Sequence, residues 1–136
     1  MIPKFRAWHN ELGRMMSISD MWFNVDSLGE IGLNDAVMNN YITVSPDEIK
    51  LMQSTGLKDK NGKEIFEGDI LTDGDVISDI KYHQTLGFYM IGKYGFSVPF
   101  GQGVDVEYFE EFAVHVSKTF EVIGNIYENP EILEVE

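Results

Sequence analysis

Glycine and asparagine punctuate much of this chain, and long helical periodicity is scarce, so a bundle of long helices is not specified. Between the interruptions lie short runs rich in β-branched and aromatic residues, the pattern of strands joined by turns. Asn61-Gly62, inside Lys58-Asp59-Lys60-Asn61-Gly62-Lys63, is the clearest reversal, because both residues accept positive φ at low cost. Gly68-Asp69 then bends the chain ahead of a strand, and Asp73-Gly74-Asp75 turns it again.

The pattern predicts a strand from Ile2 to Trp8, with Phe5 and Ala7 on one face and Lys4, Arg6 and Trp8 on the other. Arg14 to Ile18 returns as its hairpin partner, and Met21 to Val25 reads as a separate short run. Asn34 to Asn40 suits a loop, and Tyr41 to Val44 a strand. Ser45-Pro46-Asp47-Glu48 carries a helix-start signature. Thr55-Gly56 leaves it room for one short turn, or for a bend into an extended Leu51-Met52-Gln53. Val76 to Tyr82 alternates as a strand, and Gly87 to Tyr94 sets Phe88, Met90 and Gly92 against Tyr89, Ile91 and Lys93. Pro99 makes Phe96 to Phe100 an edge strand. Val106 to Val116, acidic and aromatic, supports helix or strand equally. Phe120 to Tyr127 is β-rich, and Asn129-Pro130 opens a last turn through Leu133.

Composition narrows the chemistry. There is no cysteine, hence no disulfide, thiolate zinc site, iron–sulfur cluster or thiol nucleophile. No apolar run approaches the roughly 18–20 residues that cross a bilayer. The opening Met1-Ile2-Pro3-Lys4-Phe5-Arg6 lacks a signal-peptide core, so a cytoplasmic protein is expected. The net charge is −13, unevenly spread: residues 1–68 hold 7 Lys+Arg against 10 Asp+Glu, and residues 69–136 hold 3 against 13. The second half therefore offers no broad cationic face for a phosphate backbone.

Three segments together resemble the YopX-like family of small proteins encoded mainly in phage and prophage genomes. They are Lys4-Phe5-Arg6-Ala7-Trp8, the stretch from Leu51 to Ile70, and Glu121-Val122-Ile123-Gly124-Asn125-Ile126-Tyr127-Glu128-Asn129-Pro130-Glu131. Residues 72–119 match nothing in that pattern. The resemblance implies a mainly β protein with an SH3-like β-barrel in the C-terminal part, a smaller β-rich N-terminal portion and little helix. In that frame Glu67-Gly68-Asp69-Ile70 opens the first long barrel strand and Glu121 to Tyr127 closes it. The expected division is 1–50 and 51–136, or one compact unit. The family supplies no enzymatic activity and no catalytic or ligand residues to carry over.

Residue chemistry offers a few constellations, each with a plainer alternative. Asp73, Asp75 and Asp79 could collect a hard cation, but Ile77 and Ser78 stand where a calcium loop needs a third oxygen ligand and a glycine, so a solvated hairpin turn is favoured. His9, His83 and His115 lie in separate segments without metal spacing. Ser17, Ser19 and Ser45 lack a nucleophile elbow, and Gly101 and Gly103 alone do not make a nucleotide loop. Asp105, Glu107, Glu110, Glu111 and Glu121 surround Tyr108, Phe109 and Phe112: either a docking face for a basic partner, or a solvated face over an aromatic core. Of Trp8, Trp22, Tyr41, Phe88, Tyr89, Phe96 and Phe100, most are expected to fill the interior of a small barrel, and any surplus on the outside would point to subunit contact.

No catalytic, cofactor-binding or metal residue is assigned. The expected function is that of a non-enzymatic phage or prophage accessory protein in the host cytosol, acting through protein contacts and self-association. The acidic C-terminal half is its expected partner surface, facing a host or phage protein. The alternative is a nucleic-acid-binding module using Lys58, Lys60, Lys63 and exposed aromatics. An enzyme with an unrecognised site ranks third.

Overall fold

A computed structural model describes residues 4–23, 28–84, 87–91, 97–99 and 106–134. The chain divides into two compact units, Met1–Gln53 and Ser54–Glu136. It is mainly β, and its sheets are antiparallel. Among the described residues none is closed into a barrel.

The first unit holds β1 (Phe5–His9), β2 (Arg14–Phe23), β3 (Leu28–Asp35), β4 (Asn40–Val44) and the start of β5 (Ile49–Lys58), in the order β4-β3-β2-β1-β5. Trp8 pairs with Met15 and Ala7 with Met16, so the first hairpin forms where the alternation placed it. Beyond it the sequence expectation needs correcting. Arg14–Ile18 and Met21–Val25 are not separate runs: β2 continues unbroken to Phe23. A bulge between Ile18 and Asp20 inserts one residue and reverses the alternation. Met16, Ile18 and Met21 thereby all pack on one core, with Ala7, Ile31, Leu33, Val44 and Ile49. Asn34 and Asp35, expected in a loop, end β3. The single turn after Ser45 is a 3₁₀ turn, Pro46–Glu48, in which Glu48 Oε2 accepts the Ser45 N–H at 2.7 Å.

The second unit begins within β5, whose later half pairs β6 (Glu64–Phe66) across the Asn61-Gly62 reversal. Gly62 has φ 80° there, the left-handed region that glycine enters freely. β7 (Asp69–Thr72) lies between β8 (Ile77–Asp79) and a later strand, Glu121–Asn125. β9 (Lys81–His83), β10 (Gly87–Ile91) and β11 (Ser97–Pro99) form another sheet, with Pro99 on an edge strand. The run expected as one strand, Val76 to Tyr82, is thus two. It breaks at Ile80, which donates its N–H to Asp69 O and accepts that of Gly68. A strand that bends between sheets serves both while leaving one apolar side chain at the corner, and Ile80 is buried.

The ambiguous acidic segment is helix α1 (Val106–Thr119), more helix than the resemblance implied. Phe112, Ala113 and Val116 share one helical stripe, and Phe120 follows it. They close over Leu57, Ile65, Leu71, Phe88 and Met90. β12 (Glu121–Asn125) follows, and then the 3₁₀ turn Pro130–Glu134.

Candidate interaction surface

Of the segments that carry the family resemblance, Lys4–Trp8 lies in the first unit, whereas the second, from Ser54 onward, and Glu121–Glu131 build the frame of the second unit. Asp59 is 2 % exposed. Its Oδ1 accepts the N–H groups of Asn61 and Lys63, both at 2.9 Å, and its Oδ2 accepts that of Val122 at 2.9 Å. One carboxylate therefore shapes the reversal and ties it to β12. Burial alone would raise its pKa, but these three donors, with the charge of Lys63, outweigh burial and hold it below the usual carboxylate range. Asp69 Oδ2 accepts the Phe66 N–H at 2.8 Å. Asn125 Oδ1 accepts those of Tyr127 and Glu128 at 3.0 and 2.9 Å, shaping the turn after β12. These groups are occupied by the backbone.

Most of the constellations singled out in the sequence are likewise engaged or apart. Asp73 Oδ1 accepts the N–H groups of Asp75 and Val76, and Asp79 pairs with Lys81 at 3.0 Å. These last two side chains edge an open groove of about 550 Å³ with Ile77, Ile91 and Leu133. His9 is buried and accepts the Leu12 N–H at Nδ1; His83 is exposed; His115 is exposed beside Phe112 and Phe120. Among the described residues no three His, Asp or Glu side chains are grouped to hold a metal. Ser17 and Ser19 are exposed on β2, and the Ser45 hydroxyl reaches Asp47. Lys58 and Lys63 are exposed, whereas Lys60 lies 3.5 Å from Glu121. Glu110 and Glu111 are exposed on α1 and Phe112 packs in the core. Asp105, Gly101, Gly103, Phe96 and Phe100 lie outside the described residues, as do the side chains of Glu107, Tyr108 and Phe109.

A different feature emerges on the first unit. The strand pairing sets the residues opposite those of the core on an outer face: Asp20 and Trp22 from β2, Glu30 and Gly32 from β3, Tyr41 and Thr43 from β4. Trp22 and Tyr41 are each 47 % exposed. Tyr41 is fixed: its hydroxyl donates to Asp20 Oδ1 at 3.0 Å and its ring covers Gly32. A side chain at residue 32 would meet the Tyr41 ring at 2.8 Å, as well as its hydroxyl and Asp20, so only glycine admits this overlay. Burial, the Asp20 hydrogen bond and the charges of Asp20 and Glu30 all push the Tyr41 hydroxyl above the ordinary phenol range.

The β3–β4 reversal beside this face is equally constrained. Arg14 donates from Nη2 and Nε to the two oxygens of Asp35, at 2.5 and 3.2 Å. The buried Asp35 also accepts the Val37 N–H at 3.1 Å. The Arg14 hydrogen bond, opposed by burial and aided by the turn's N–H groups, holds Asp35 below its usual pKa and raises that of Arg14. This anchoring leaves Val37 71 % and Met38 63 % exposed at the tip. Neither the outer-face cluster nor the tip was visible in the sequence, because both depend on pairings 21 residues apart. The available signals were an aromatic after a double asparagine and a glycine between Ile31 and Leu33.

Comparisons agree with this architecture. A family model described as YopX protein matches residues 4–134. The chain is similar to the crystal structure of protein EF1440 from Enterococcus faecalis, at 28% identity and TM-score 0.63, covering 98% of this chain and 99% of that one. No curated protein matches.

Proposed function

We propose a function with one fact as its starting point: the chain belongs to the YopX family. It is a phage- or prophage-encoded accessory protein of the bacterial cytosol that acts by binding, to copies of itself and to a partner protein, without an enzymatic step. The observation that carries this reading is the free edge of the first unit. β4 has a sheet neighbour only on its β3 side among the described residues. Its sequence, Asn40-Tyr41-Ile42-Thr43-Val44, has none of the charges, prolines or bulges that usually guard an edge. Exposed Val37 and Met38 stand at the tip of the reversal that leads into it. A second copy can add antiparallel across Ile42 by main-chain hydrogen bonding, a closed two-fold arrangement. In the second unit, an SH3-like frame is supported by the Ile77–His83 run, which joins two sheets over one apolar cluster.

Among the described residues no helix is long and apolar enough to cross a membrane. Nucleic-acid binding has less support, since Lys60 already faces Glu121 and the net charge is −13. Light scattering tests the reading. The expected mass is twice the 15.5 kDa of one chain, and N40K/T43K, which sets four lysines along the seam, weakens association at least tenfold. A single-chain mass at every concentration would remove the self-association, and retardation of a low-salt DNA or RNA probe would favour the competing reading.

A further inference from the structure

On the outer face of the first unit, β2 and β3 set a square of side chains. Asp20 pairs with Gly32 and Trp22 with Glu30. The Asp20 and Glu30 positions occupy one diagonal, about 7–8 Å apart on a sheet. At the Gly32 corner the Asp20 carboxylate and the Tyr41 ring and hydroxyl together fill the space of the missing side chain, and Trp22 stands at the opposite corner. Two acids and two rings gathered on one face suit a planar organic cation. Among the described residues Asp20 and Glu30 have no cationic partner. Asp20 accepts a hydrogen bond from the neutral Tyr41 hydroxyl, which leaves its charge in place. Arg14, on a neighbouring stretch of β2, is already committed to Asp35.

We infer that this square is a docking site for an arginine side chain on a basic segment of a partner protein. This rests on the binding function proposed above and names the partner's chemistry. The guanidinium matches this set: its plane stacks on Trp22 and Tyr41, and its fork of donors reaches the carboxylates of Asp20 and Glu30. The Tyr41–Asp20 hydrogen bond holds one ring and one carboxylate in place before binding, so little ordering is required. The site opens on the outer face of the sheet, whereas copies would pair through the backbone of the β4 edge.

The test uses the full chain carrying Trp8→Phe, so that Trp22 alone reports by fluorescence, with calorimetry on the unmodified chain as a second readout. The probes are eight-residue peptides of alternating Arg-Thr, Gln-Thr and Glu-Thr. The Arg-Thr peptide is expected to bind saturably and the other two not to bind. D20N/E30Q, which retains an acceptor for the Tyr41 hydroxyl, is expected to weaken binding at least fivefold, as is Trp22→Ala. E110Q/E111Q on α1 removes the same charge elsewhere and is expected to change binding less than twofold. Equal loss in E110Q/E111Q would reduce the effect to net charge and overturn the proposal, as would binding of the Gln-Thr peptide or no saturable binding of the Arg-Thr peptide. Peptide failure with an intact double mass overturns this inference and leaves the self-association standing; a single-chain mass with peptide binding does the reverse.

Discussion

Replacing Asp59 by Asn is expected to destabilise the second unit by about 3 kcal/mol, although the substitution is nearly isosteric. The reason lies in the direction of the hydrogen bonds. Both Asp59 oxygens accept: one from Asn61 and Lys63, the other from Val122. An amide has one acceptor and one donor end. In either orientation its NH₂ group faces a backbone N–H, inside a site that is 2 % exposed. For a unit of this size, 3 kcal/mol lowers Tm by roughly 12–24 °C. The pH dependence follows from the same contacts. The folded pKa of Asp59 lies below its unfolded value, so the carboxylate's contribution is complete above about pH 4–5 and is lost as pH falls through the folded pKa. The gap between wild type and D59N, measured by urea unfolding, should therefore narrow below about pH 4. Lys60→Ala, which removes only the half-exposed ion pair to Glu121, should cost less than about 0.5 kcal/mol. A D59N protein as stable as wild type at neutral pH would show that the carboxylate does not hold β12 to the reversal.

Asp59 also shows what the sequence could and could not reveal. Its neighbours Asn61-Gly62 announce a turn by local conformational preference alone, and the turn forms there. That its second oxygen reaches Val122, 63 residues later, has no local signature. The same division runs through the molecule. Hairpin β1–β2 and the alternation of Phe88 and Met90 were legible, because a two-residue period is written in consecutive side chains. The continuity of β2 was not, because the bulge near Ser19 puts its apolar residues out of phase. The Val76–Tyr82 run alternates correctly but changes sheets at Ile80, which depends on backbone partners near Asp69. Helix α1 was undecided because Phe112, Ala113 and Val116 become a stripe only over the core they cover. The most recognisable segments proved to be scaffold. The candidate surface was illegible because Asp20, Gly32 and Tyr41 meet only once three strands are in register.

Gly124→Val is the other substitution expected to have a large effect, a loss of about 3–4 kcal/mol, with Gly124→Ala costing about 2 kcal/mol. Gly124 follows the β12 bulge and pairs with Ile70. A β-carbon there would sit 2.6 Å from Asn129 Oδ1 and 2.9 Å from Asn129 Cβ and Cγ, all inside van der Waals contact. Whether this matters depends on whether Asn129 can retreat, and three constraints oppose that. Its N–H donates to Asn125 O at 2.9 Å, its Oδ1 accepts the Asn125 N–H at 3.3 Å, and its carbonyl accepts the Ile132 N–H at 3.1 Å. Pro130 further restricts its backbone. Relief of the clash must therefore open the Asn125 turn or shift β12 off Leu71 and Ile70, two fully buried residues. A double-mutant cycle separates this clash from a general loss of strand quality. Asn129→Ala removes two of the three contacting atoms, so Gly124→Ala should cost at least about 1 kcal/mol less in that background than in wild type. Additive losses would place the cost of Gly124→Ala in the bulge backbone itself and not in the approach of Asn129.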